Sequence, residues 1–422
     1  HRTMARDIGW NYLQSTLPNA IVLNYGDNDT FPLWFNQEVD GVRTDVRVMN
    51  TSYLGGEWYI DEMKTRANDA APVPFTLPRS KYAFVNDMVR VIPKVERPVD
   101  IREAMDFFRS EDPRTKVPLV DGTTIDYLPA QRLALPVNKD NAIAAGIVKE
   151  EDRDLMVDTV YLNLRRGVLD KSELMVIDLL SNFDWKRPIH FTQVYILQNL
   201  GLTDYLQFDG YSYRLVPILT PYDRRVGEIG RIDPDVIYPL LMETFRYGNV
   251  SDPRVYVDNF IQYNLMASGA REAFARAAKA FLRRGGAGDR DKAVALLDAG
   301  LEKMPPAQIR YTFSNTFPFL EAYYAAGEME KGDALLLSYA ENLMQYLDYY
   351  LAFEGVQGDM VSGLIDDKLD ELGQIYLLAG YAGRRDAVAR LNDYYRTLGA
   401  TDEDLLHVDA PGEATDSLLP IP

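Results

Sequence analysis

The sequence predicts an α/β domain followed by an all-α domain of helical repeats. Its first half alternates short apolar runs, typical of strands, with longer segments typical of helices, which indicates a parallel α/β layer. In its second half a pattern of glycine seven residues before alanine recurs at Gly286–Ala293, Gly327–Ala334 and Gly380–Ala387. At 422 residues the chain exceeds one ordinary domain. We expect an α/β domain over residues 1–230, a helical-repeat domain over 231–400 and an acidic tail over 401–422.

Apolar runs that end in turn residues predict the first elements. The run Ala20–Tyr25 predicts a strand, which the segment Gly26-Asp27-Asn28-Asp29-Thr30 ends as a tight turn or a helix cap. The aromatic segment Phe31–Glu38 predicts a short helix, and Asp45–Asn50 predicts a second strand. A cap at Thr51 or Ser52 then predicts a helix that extends to about Ala67.

Many prolines between Ala70 and Pro136 predict edge strands and long loops around one clear helix, Ile101–Arg109. Strand-like pieces occur there at Lys81–Val85 and Lys116–Val120. After this region the pattern becomes regular again, and it predicts the strand Asp158–Leu164, the helix Lys171–Asn182 and the strands Arg187–Phe191 and Tyr213–Ile218.

The glycine–alanine pattern of the second half indicates helix–turn–helix units. In the first unit Ala293, Leu297, Gly300 and Pro305 match the second helix of a tetratricopeptide repeat (TPR), where small residues permit close contact between helices. The three alanines are 41 and 53 residues apart, whereas the usual repeat has about 34 residues. The all-α domain is therefore predicted to be TPR-like, with irregular and lengthened repeats.

Composition and charge exclude several classes of function. With 63 acidic and 45 basic residues the formal net charge is −18, which disfavours nucleic acid and anionic membrane surfaces as partners. The absence of cysteine excludes disulfides, thiolate metal sites and cysteine nucleophiles. The three histidines lack the spacing of a zinc site, and no apolar run approaches the ~20 residues of a membrane span. We expect no metal and no cofactor, and the start at His1-Arg2-Thr3 is typical of a piece of a longer protein.

Asp27 and Asp29 are the sharpest candidates for chemistry. Two carboxylates one residue apart at a strand end are typical of nucleotide-sugar transferases, which use them to hold a divalent ion and a diphosphate. Asp and Asn also shape turns and cap helices. The structural interpretation predicts that Asp27 and Asp29 fix the turn and cap the next helix through backbone N–H groups.

A second candidate is the segment Trp185–Phe191, which combines a tryptophan, two cations and a histidine beside a predicted strand. Arg187 and His190 could bind a carboxylate, a phosphate or a sugar ring. A lone histidine among aromatic residues is more often a hydrogen-bonded structural residue. Glu173 and Asp178 precede this segment on a predicted helix, but nothing in the sequence indicates that they reach His190.

Longer strings resemble a known family. The run Asn24–Trp34, continued through Gln37–Val48, resembles the soluble C-terminal part of the DUF2723 membrane proteins, and Trp185–Ile189 and Tyr213–Pro217 resemble two further signatures of that family. The family is similar to the protein O-mannosyltransferases, polytopic GT-C enzymes that use a lipid-linked sugar. The candidate binding residues of the whole sequence are Asp27, Asp29, Trp34, Arg187, His190, Tyr213 and Arg214.

This resemblance implies an accessory region on the periplasmic, extracytoplasmic face of the inner membrane, which binds or positions acceptor proteins for a membrane-bound O-glycosyltransferase. The catalytic acid of GT-C enzymes lies between transmembrane helices, so the resemblance implies no catalytic residue in this sequence. The resemblance therefore implies that this piece of the protein is not catalytic alone, whereas the full-length protein is a glycosyltransferase. Its partners would be acceptor polypeptides and its own transmembrane region, through which alone it would associate with the membrane.

Two other functions stay open at this point. One is a metal-dependent enzyme that binds a nucleotide-sugar through Asp27 and Asp29. The other is a noncatalytic scaffold of a cell-envelope complex. Within the accessory hypothesis, acceptor segments would dock along the helical repeats, whose tyrosines have large apolar faces with polar tips; these are Tyr311, Tyr323, Tyr324, Tyr349 and Tyr350.

Overall fold

The structure, a computed structural model, describes residues 3–120, 122–222, 228–259 and 270–406. Contacts between Cα atoms divide the chain into two compact units, one that ends at Gly248 and one that begins at Asn249. This boundary lies later in the chain than the change of composition near residue 230.

The described part of the first unit contains short strands and helices in alternation. The strands are β1 (Ile21–Asn24), β2 (Arg47–Asn50), β3 (Met88–Val91), β4 (Val99–Asp100), β5 (Lys116–Pro118), β6 (Thr124–Leu128), β7 (Arg132–Pro136), β8 (Thr159–Asn163), β9 (Val168–Asp170), β10 (Ile189–Phe191), β11 (Leu206–Phe208) and β12 (Tyr213–Leu215). The helices are α1 (Met4–Gln14), α2 (Asp27–Glu38), α3 (Glu57–Met63), α4 (Ile101–Arg109), α5 (Lys139–Ala144), α6 (Lys171–Ser181), α7 (Tyr195–Leu200) and α8 (Pro234–Pro239).

A five-stranded sheet of order β11-β12-β10-β1-β2 forms the centre of this unit. Strand β1 runs parallel to both neighbours, with Val22 opposite Val48 of β2 and His190 of β10. Strands β11 and β12 complete the sheet in antiparallel pairing. All residues of β1, β2 and β10 are buried, as expected when a sheet is covered on both faces.

Two smaller sheets come from the proline-rich region and the segments after it. One has the order β5-β6-β3-β9 and the other the order β4-β7-β8. Their buried side chains, such as Val89, Leu128 and Leu162, join those of the central sheet in one apolar core.

Helix α6 crosses this core, and ten of its eleven residues are buried. It begins with a capping box, in which Asp170 accepts from the Glu173 N–H and Glu173 accepts from the Asp170 N–H. Further along, the fully buried Asp178 accepts from the backbone N–H groups of Thr76 at 2.7 Å and Leu77 at 3.1 Å. Asp178 also accepts from the Arg109 guanidinium at 2.8 Å. The carboxylate thereby fixes the Thr76 segment to α6, and its partner is Arg109.

The described part of the second unit is helical. It contains the helices α9 (Arg271–Arg284), α10 (Asp289–Lys303), α11 (Phe313–Ala325), α12 (Met329–Leu351), α13 (Gly355–Tyr381) and α14 (Arg385–Thr397), which follow one another as hairpins. A Cβ at Gly300 of α10 would lie 2.9 Å from the Phe319 ring and 3.0 Å from the Phe274 Cβ. Glycine therefore allows α10 to approach α9 and α11 closely, as its position in the repeat pattern predicts.

The predicted fold class is confirmed at the level of an α/β region followed by a helical region. The helical hairpins are present, but their helices range from 13 to 27 residues, and TPR-like repeats are not confirmed. Of the predicted acidic tail, residues 407–422 lie outside the described residues.

Two local predictions are wrong. The segment Lys81–Val85 is not a strand, since the chain forms a 3-10 helix at Arg79–Lys81 and then turns. The helix expected from Thr51 to about Ala67 is instead a 3-10 helix, Thr51–Gly55, followed by α3. The pair Gly55-Gly56 separates the two because glycine is a poor helix former.

Candidate binding cleft and aromatic surface

A cleft of about 490 Å³ lies at the carboxyl ends of β1 and β2. Tyr25 follows β1, Ser52 follows β2, and Tyr195 comes shortly after β10. The start of α6 completes the lining with Lys171 and Ser172. After β1 the chain crosses to β2 on one side, and it later returns to β10 on the other side. Such a switch point, at the carboxyl ends of parallel strands, is where open α/β sheets bind ligands.

The charged groups at the start of α6 have partners within the protein. The buried Lys171 ammonium lies 2.6 Å from the exposed Asp87 carboxylate. Glu173 accepts from Arg166 and from the Asp170 N–H. The capping box and these ion pairs therefore hold the start of α6 in place at the wall of the cleft.

Four aromatic side chains form a continuous surface beside the cleft, which we call the aromatic surface: Phe31, Trp34, Tyr53 and Trp58. Their successive ring centroids are 5.9, 6.4 and 6.3 Å apart. Phe31 is 51% exposed and Trp58 is 60% exposed. Helix α2 provides the first two rings, the 3-10 helix Thr51–Gly55 the third and α3 the fourth. Since Ser52 and Gly55 line the cleft, the cleft and the aromatic surface share this 3-10 helix.

Asp27 orients the middle of the aromatic surface. The Tyr53 hydroxyl donates to the Asp27 carboxylate at 2.5 Å, and this hydrogen bond raises the pKa of Tyr53. Asp27 is the first residue of α2, and Gly26, with φ of 80°, is the N-cap without a side-chain capping bond. The predicted capping role of Asp27 is therefore wrong, because its carboxylate accepts from Tyr53.

Asp29 connects the ends of two neighbouring strands. Its carboxylate accepts from the Tyr25 N–H at 3.3 Å and from the Thr192 hydroxyl at 2.5 Å, and the residue is 3% exposed. Tyr25 follows β1 and Thr192 follows β10, so Asp29 stabilises the floor of the cleft. Burial raises the pKa of Asp29, although both hydrogen bonds oppose this shift. The prediction that Asp29 fixes the turn after β1 agrees with this geometry.

Replacing Asp29 with alanine is expected to destabilise the first unit by about 1–3 kcal/mol, because the buried Thr192 hydroxyl and the Tyr25 N–H lose their acceptor. Asp29→Asn keeps an acceptor and is expected to cost less. All four tryptophans precede Gly248, so urea unfolding followed by tryptophan fluorescence measures this unit. Equal losses in the two variants would contradict this role.

The same residue is expected to make stability depend on pH. The unfolded chain releases the Asp29 proton near pH 3.8, whereas the folded chain retains it to a higher pH. Between these two pH values the unfolded state binds fewer protons, so the unfolding free energy of the wild type falls as pH rises. Asp29→Asn has no such proton, and its stability relative to the wild type should therefore increase from pH 4 towards pH 7. A difference that is independent of pH would rule out this effect.

The described residues contain no group of three or more His, Asp or Glu side chains placed to hold a metal ion. Asp27 and Asp29 bind different partners, Tyr53 in the first case and Tyr25 and Thr192 in the second. Their geometry is that of two structural carboxylates on one helix turn.

His190 is fully buried in the central sheet. Its Nε2 accepts from the Leu17 N–H at 3.2 Å, and its Nδ1 lies 3.0 Å from the Ser212 hydroxyl. Because a backbone N–H can only donate, the ring proton is on Nδ1 and Ser212 accepts it. Burial lowers the pKa of His190 well below 6.5, so the ring is neutral. This geometry favours the structural interpretation of His190.

Arg187 and Arg214 are also engaged within the first unit. Arg187 donates to the carbonyl oxygens of Asn19, Ala71 and Pro72, and burial lowers its pKa to about 10. Arg214 lies opposite His190 on β12 and pairs with the buried Asp209, its Nε 3.1 Å from Oδ2. Neither guanidinium lines the cleft.

Trp34 is the candidate that lies in the aromatic surface, whereas Tyr213 packs against Phe208 in the sheet, with ring centroids 5.0 Å apart. A ligand-binding role for the seven candidates stays a prediction. Sequence reasoning missed Tyr25, Tyr53, Trp58 and Tyr195 because they are distant in sequence. The available signal was the clustering of aromatic residues after the predicted strands.

A larger cleft of about 800 Å³ lies elsewhere in the first unit. Lys94, Arg132 and Arg165 line it, and eight of its nine lining residues are exposed. None of the candidate residues lines this cleft. Since its lining residues are almost all exposed, this larger cleft is an open surface groove. We therefore place the candidate site at the smaller cleft, at the carboxyl ends of β1 and β2.

Residues 5–236 match the family described as TMEM260-associated domain 2, which covers more than half of the chain. The chain belongs to this family. TMEM260-associated domain 2 thus contains the central sheet, the cleft and the aromatic surface. No curated protein and no solved structure matches the chain significantly.

Membership in this family corrects the family assignment that was expected from the sequence. The assignment to DUF2723, and the similarity to O-mannosyltransferases that it implied, is wrong: the strings Asn24–Trp34, Trp185–Ile189 and Tyr213–Pro217 lie inside the region matched by TMEM260-associated domain 2. The description of the family fits a membrane-protein family. Within the described ranges, no helix has both the length and the apolar character needed to cross a bilayer.

Proposed function

We propose that this chain is a noncatalytic binding module on the extracytoplasmic side of a membrane, where it positions acceptor polypeptides for a membrane-bound glycosyltransferase. The observation that carries this proposal is the aromatic surface, with two strongly exposed rings beside a cleft. Two exposed rings joined by two half-buried ones, Trp34 and Tyr53, form an apolar patch of the kind that marks contact sites. The family's association with a membrane protein supports the membrane setting.

The spacing of the rings favours an extended polypeptide as the ligand. Alternate side chains of an extended chain are about 6.6–6.8 Å apart on one face. The successive centroids of the aromatic surface, at 5.9, 6.4 and 6.3 Å, come close to this repeat. Each ring can thus contact one side chain of a bound segment, while tyrosine and tryptophan also offer polar tips for its backbone.

The position of the cleft indicates where a bound polypeptide segment continues beyond the aromatic surface. The cleft shares the 3-10 helix Thr51–Gly55 with the aromatic surface, so a chain that crosses the rings can continue towards Tyr25 and Tyr195. These two rings are 5.9 Å apart and about half exposed, at 52% and 55%. The exposed Asp27 carboxylate, which has no ion-pair partner among the described residues, favours neutral or basic segments over acidic ones.

Three of the five tyrosines named from the sequence of the helical unit are engaged within that unit. Tyr323 and Tyr324 are 2% and 3% exposed and donate to Asp298 and Asp333. Tyr311 shares a hydrogen bond with Ser338. These three rings therefore serve packing, whereas Tyr349 is 61% exposed and stays a candidate on the helical unit. We propose the aromatic surface as the main acceptor site because its rings lie beside a cleft.

Replacing Trp58 with alanine is expected to weaken acceptor binding at least tenfold without unfolding the protein, because the indole is 60% exposed. The measurement is fluorescence anisotropy with labelled extended peptides of alternating apolar and hydroxyl residues. Phe84→Ala is the matched control, since Phe84 is 80% exposed outside the aromatic surface. Unchanged affinity in Trp58→Ala would refute the proposed site.

A photoreactive version of the same peptide tests the location independently. We expect labels on the segments that contain residues 25–58, and labels confined to residues 270–406 would contradict the proposal. Transfer of sugar from a polyprenyl-phosphate donor by the purified chain, abolished by Asp29→Asn, would instead support an enzyme.

A further inference from the structure

An apolar stripe that no described residue covers lies on the second unit, at the end of the hairpin formed by α12 and α13. We define the apolar stripe as Val356, Met360 and Leu364, which are 76%, 79% and 44% exposed. Residues four apart lie on one face of a helix, so the three side chains form a row. Large apolar side chains exposed in a row are typical of contact surfaces.

The rest of the hairpin end is also uncovered. Among the described residues, none from 351 to 370 is buried. The contacts of α14 with α12 include hydrogen bonds from Tyr394 to Asp348 and to the Met344 carbonyl. The apolar stripe thus lies on the part of α13 that precedes its buried residues, which begin at Leu372.

A row of carboxylates runs beside the apolar stripe. Asp359, Asp366 and Asp370 recur at intervals of seven and four residues, which places them along one side of α13. All three are exposed, and none has an ion-pair partner among the residues that the structure describes. The one nearby cation of this helix, Lys368, pairs with Glu371 at 2.5 Å. The face is therefore an apolar stripe with carboxylates along one side, and the exposed Asp367, three residues after Leu364, ends the stripe.

Gly363 lies on the same face, and no packing contact among the described residues requires a glycine there. Glycine is the weakest helix former after proline, and a Cβ at Gly363 would meet no atom within 4 Å. By contrast, a Cβ at Gly358 would lie 3.0 Å from the Phe353 carbonyl oxygen, so packing explains that glycine. An open glycine beside an apolar row allows the backbone of a second helix to approach closely.

We propose that this face of α13 binds a cationic amphipathic helix of another protein. The apolar side chains of the partner would cover Val356, Met360 and Leu364, and its Lys or Arg residues would pair with Asp359, Asp366 and Asp370. This interaction is independent of the acceptor site on the first unit.

The charges select this occupant over three others. An anionic membrane surface would repel the carboxylates. A second copy of the chain would place its own aspartates against them. The C-terminal segment 407–422 contains three acidic residues and neither Lys nor Arg, so it does not complement the face either.

The test uses the full chain and a synthetic 20-residue helix with leucine on one face and lysine on the other, in isothermal titration calorimetry. The probe should bind, and its affinity should fall as salt rises. Met360→Ser and the double variant Asp366→Lys/Asp370→Lys should each weaken binding at least tenfold. Val39→Ser, which replaces an apolar residue that is 66% exposed on the first unit, should leave binding unchanged.

Gly363→Leu separates binding from folding. It should weaken binding at least tenfold while the melting temperature stays unchanged or rises, because leucine favours the helix. Equal affinity for a probe with glutamate in place of lysine would overturn the proposal, as would binding that Met360→Ser does not weaken. Self-association or binding to anionic vesicles that is lost in Met360→Ser would assign the face to one of the other occupants.

Discussion

Replacing Asp178 with alanine is expected to destabilise the first unit by about 3–5 kcal/mol, because several hydrogen-bond donors lose a buried acceptor and Arg109 loses one of its two carboxylate partners. Asp178 is fully buried, and its carboxylate accepts from Arg109, from the Thr76 hydroxyl and from two backbone N–H groups. Alanine leaves the Arg109 charge without this partner and the N–H groups of Thr76 and Leu77 without acceptors. Urea unfolding followed by tryptophan fluorescence measures the loss.

Asp106 gives a matched control, because its carboxylate pairs with the same Arg109 at 2.7 Å but its side chain is 75% exposed. Water screens an exposed ion pair, so Asp106→Ala is expected to cost less than about 1 kcal/mol. If the two variants lose equal stability, burial is not what makes the Asp178 contact strong.

Replacing Arg214 with methionine should have a similarly large effect, a loss of about 3–5 kcal/mol at neutral pH. Arg214 and Asp209 are 4% and 2% exposed, and the guanidinium also donates to the Gly146 carbonyl. Methionine fills most of the space but leaves Asp209 as a buried carboxylate without its cation. Arg153→Met is the control, since Arg153 forms its ion pairs with Glu150 and Asp140 at the surface.

The loss in Arg214→Met should depend on pH. Burial raises the pKa of Asp209 above 3.8, while Arg214 opposes this shift, so the variant raises the pKa further. The folded variant then keeps the Asp209 proton to higher pH than the unfolded chain, and its stability decreases as pH rises through this window. The double variant Asp209→Asn/Arg214→Met removes the buried charge and should recover part of the loss at pH 7. Failure to recover would mean that packing, and not charge, determines the effect.

Local sequence patterns predicted the elements that short-range chemistry determines. The strand at Ala20–Tyr25 and the helices at Ile101–Arg109 and Lys171–Asn182 are confirmed with small shifts at their ends. The predictions failed where glycine or a turn interrupted an otherwise suitable pattern, as at Gly55-Gly56 and at Lys81–Val85. Short strands such as β4, with two residues, carry too little pattern to be recognised.

The candidate site was predictable only in part. The turn that contains Asp27 and Asp29 was identified from the sequence, but their partners Tyr53 and Thr192 come from other strand ends. The same limit applies to Asp178, whose partner Arg109 is 69 residues away in sequence. Hydrogen bonds across such distances depend on the order of the strands, which no local pattern encodes.

The sequence by itself determined the α/β region, the helical region after it and the acidic character of the chain, because periodicity, turn residues and charge act over short distances. The tertiary structure decided which side chains are available to a ligand. It buried His190 and Arg214 in the central sheet, and it exposed Trp58 and Met360, although all four are ordinary members of their local patterns. Burial depends on which elements pack against each residue, and the order of the strands and the ends of the helix hairpins fix that packing.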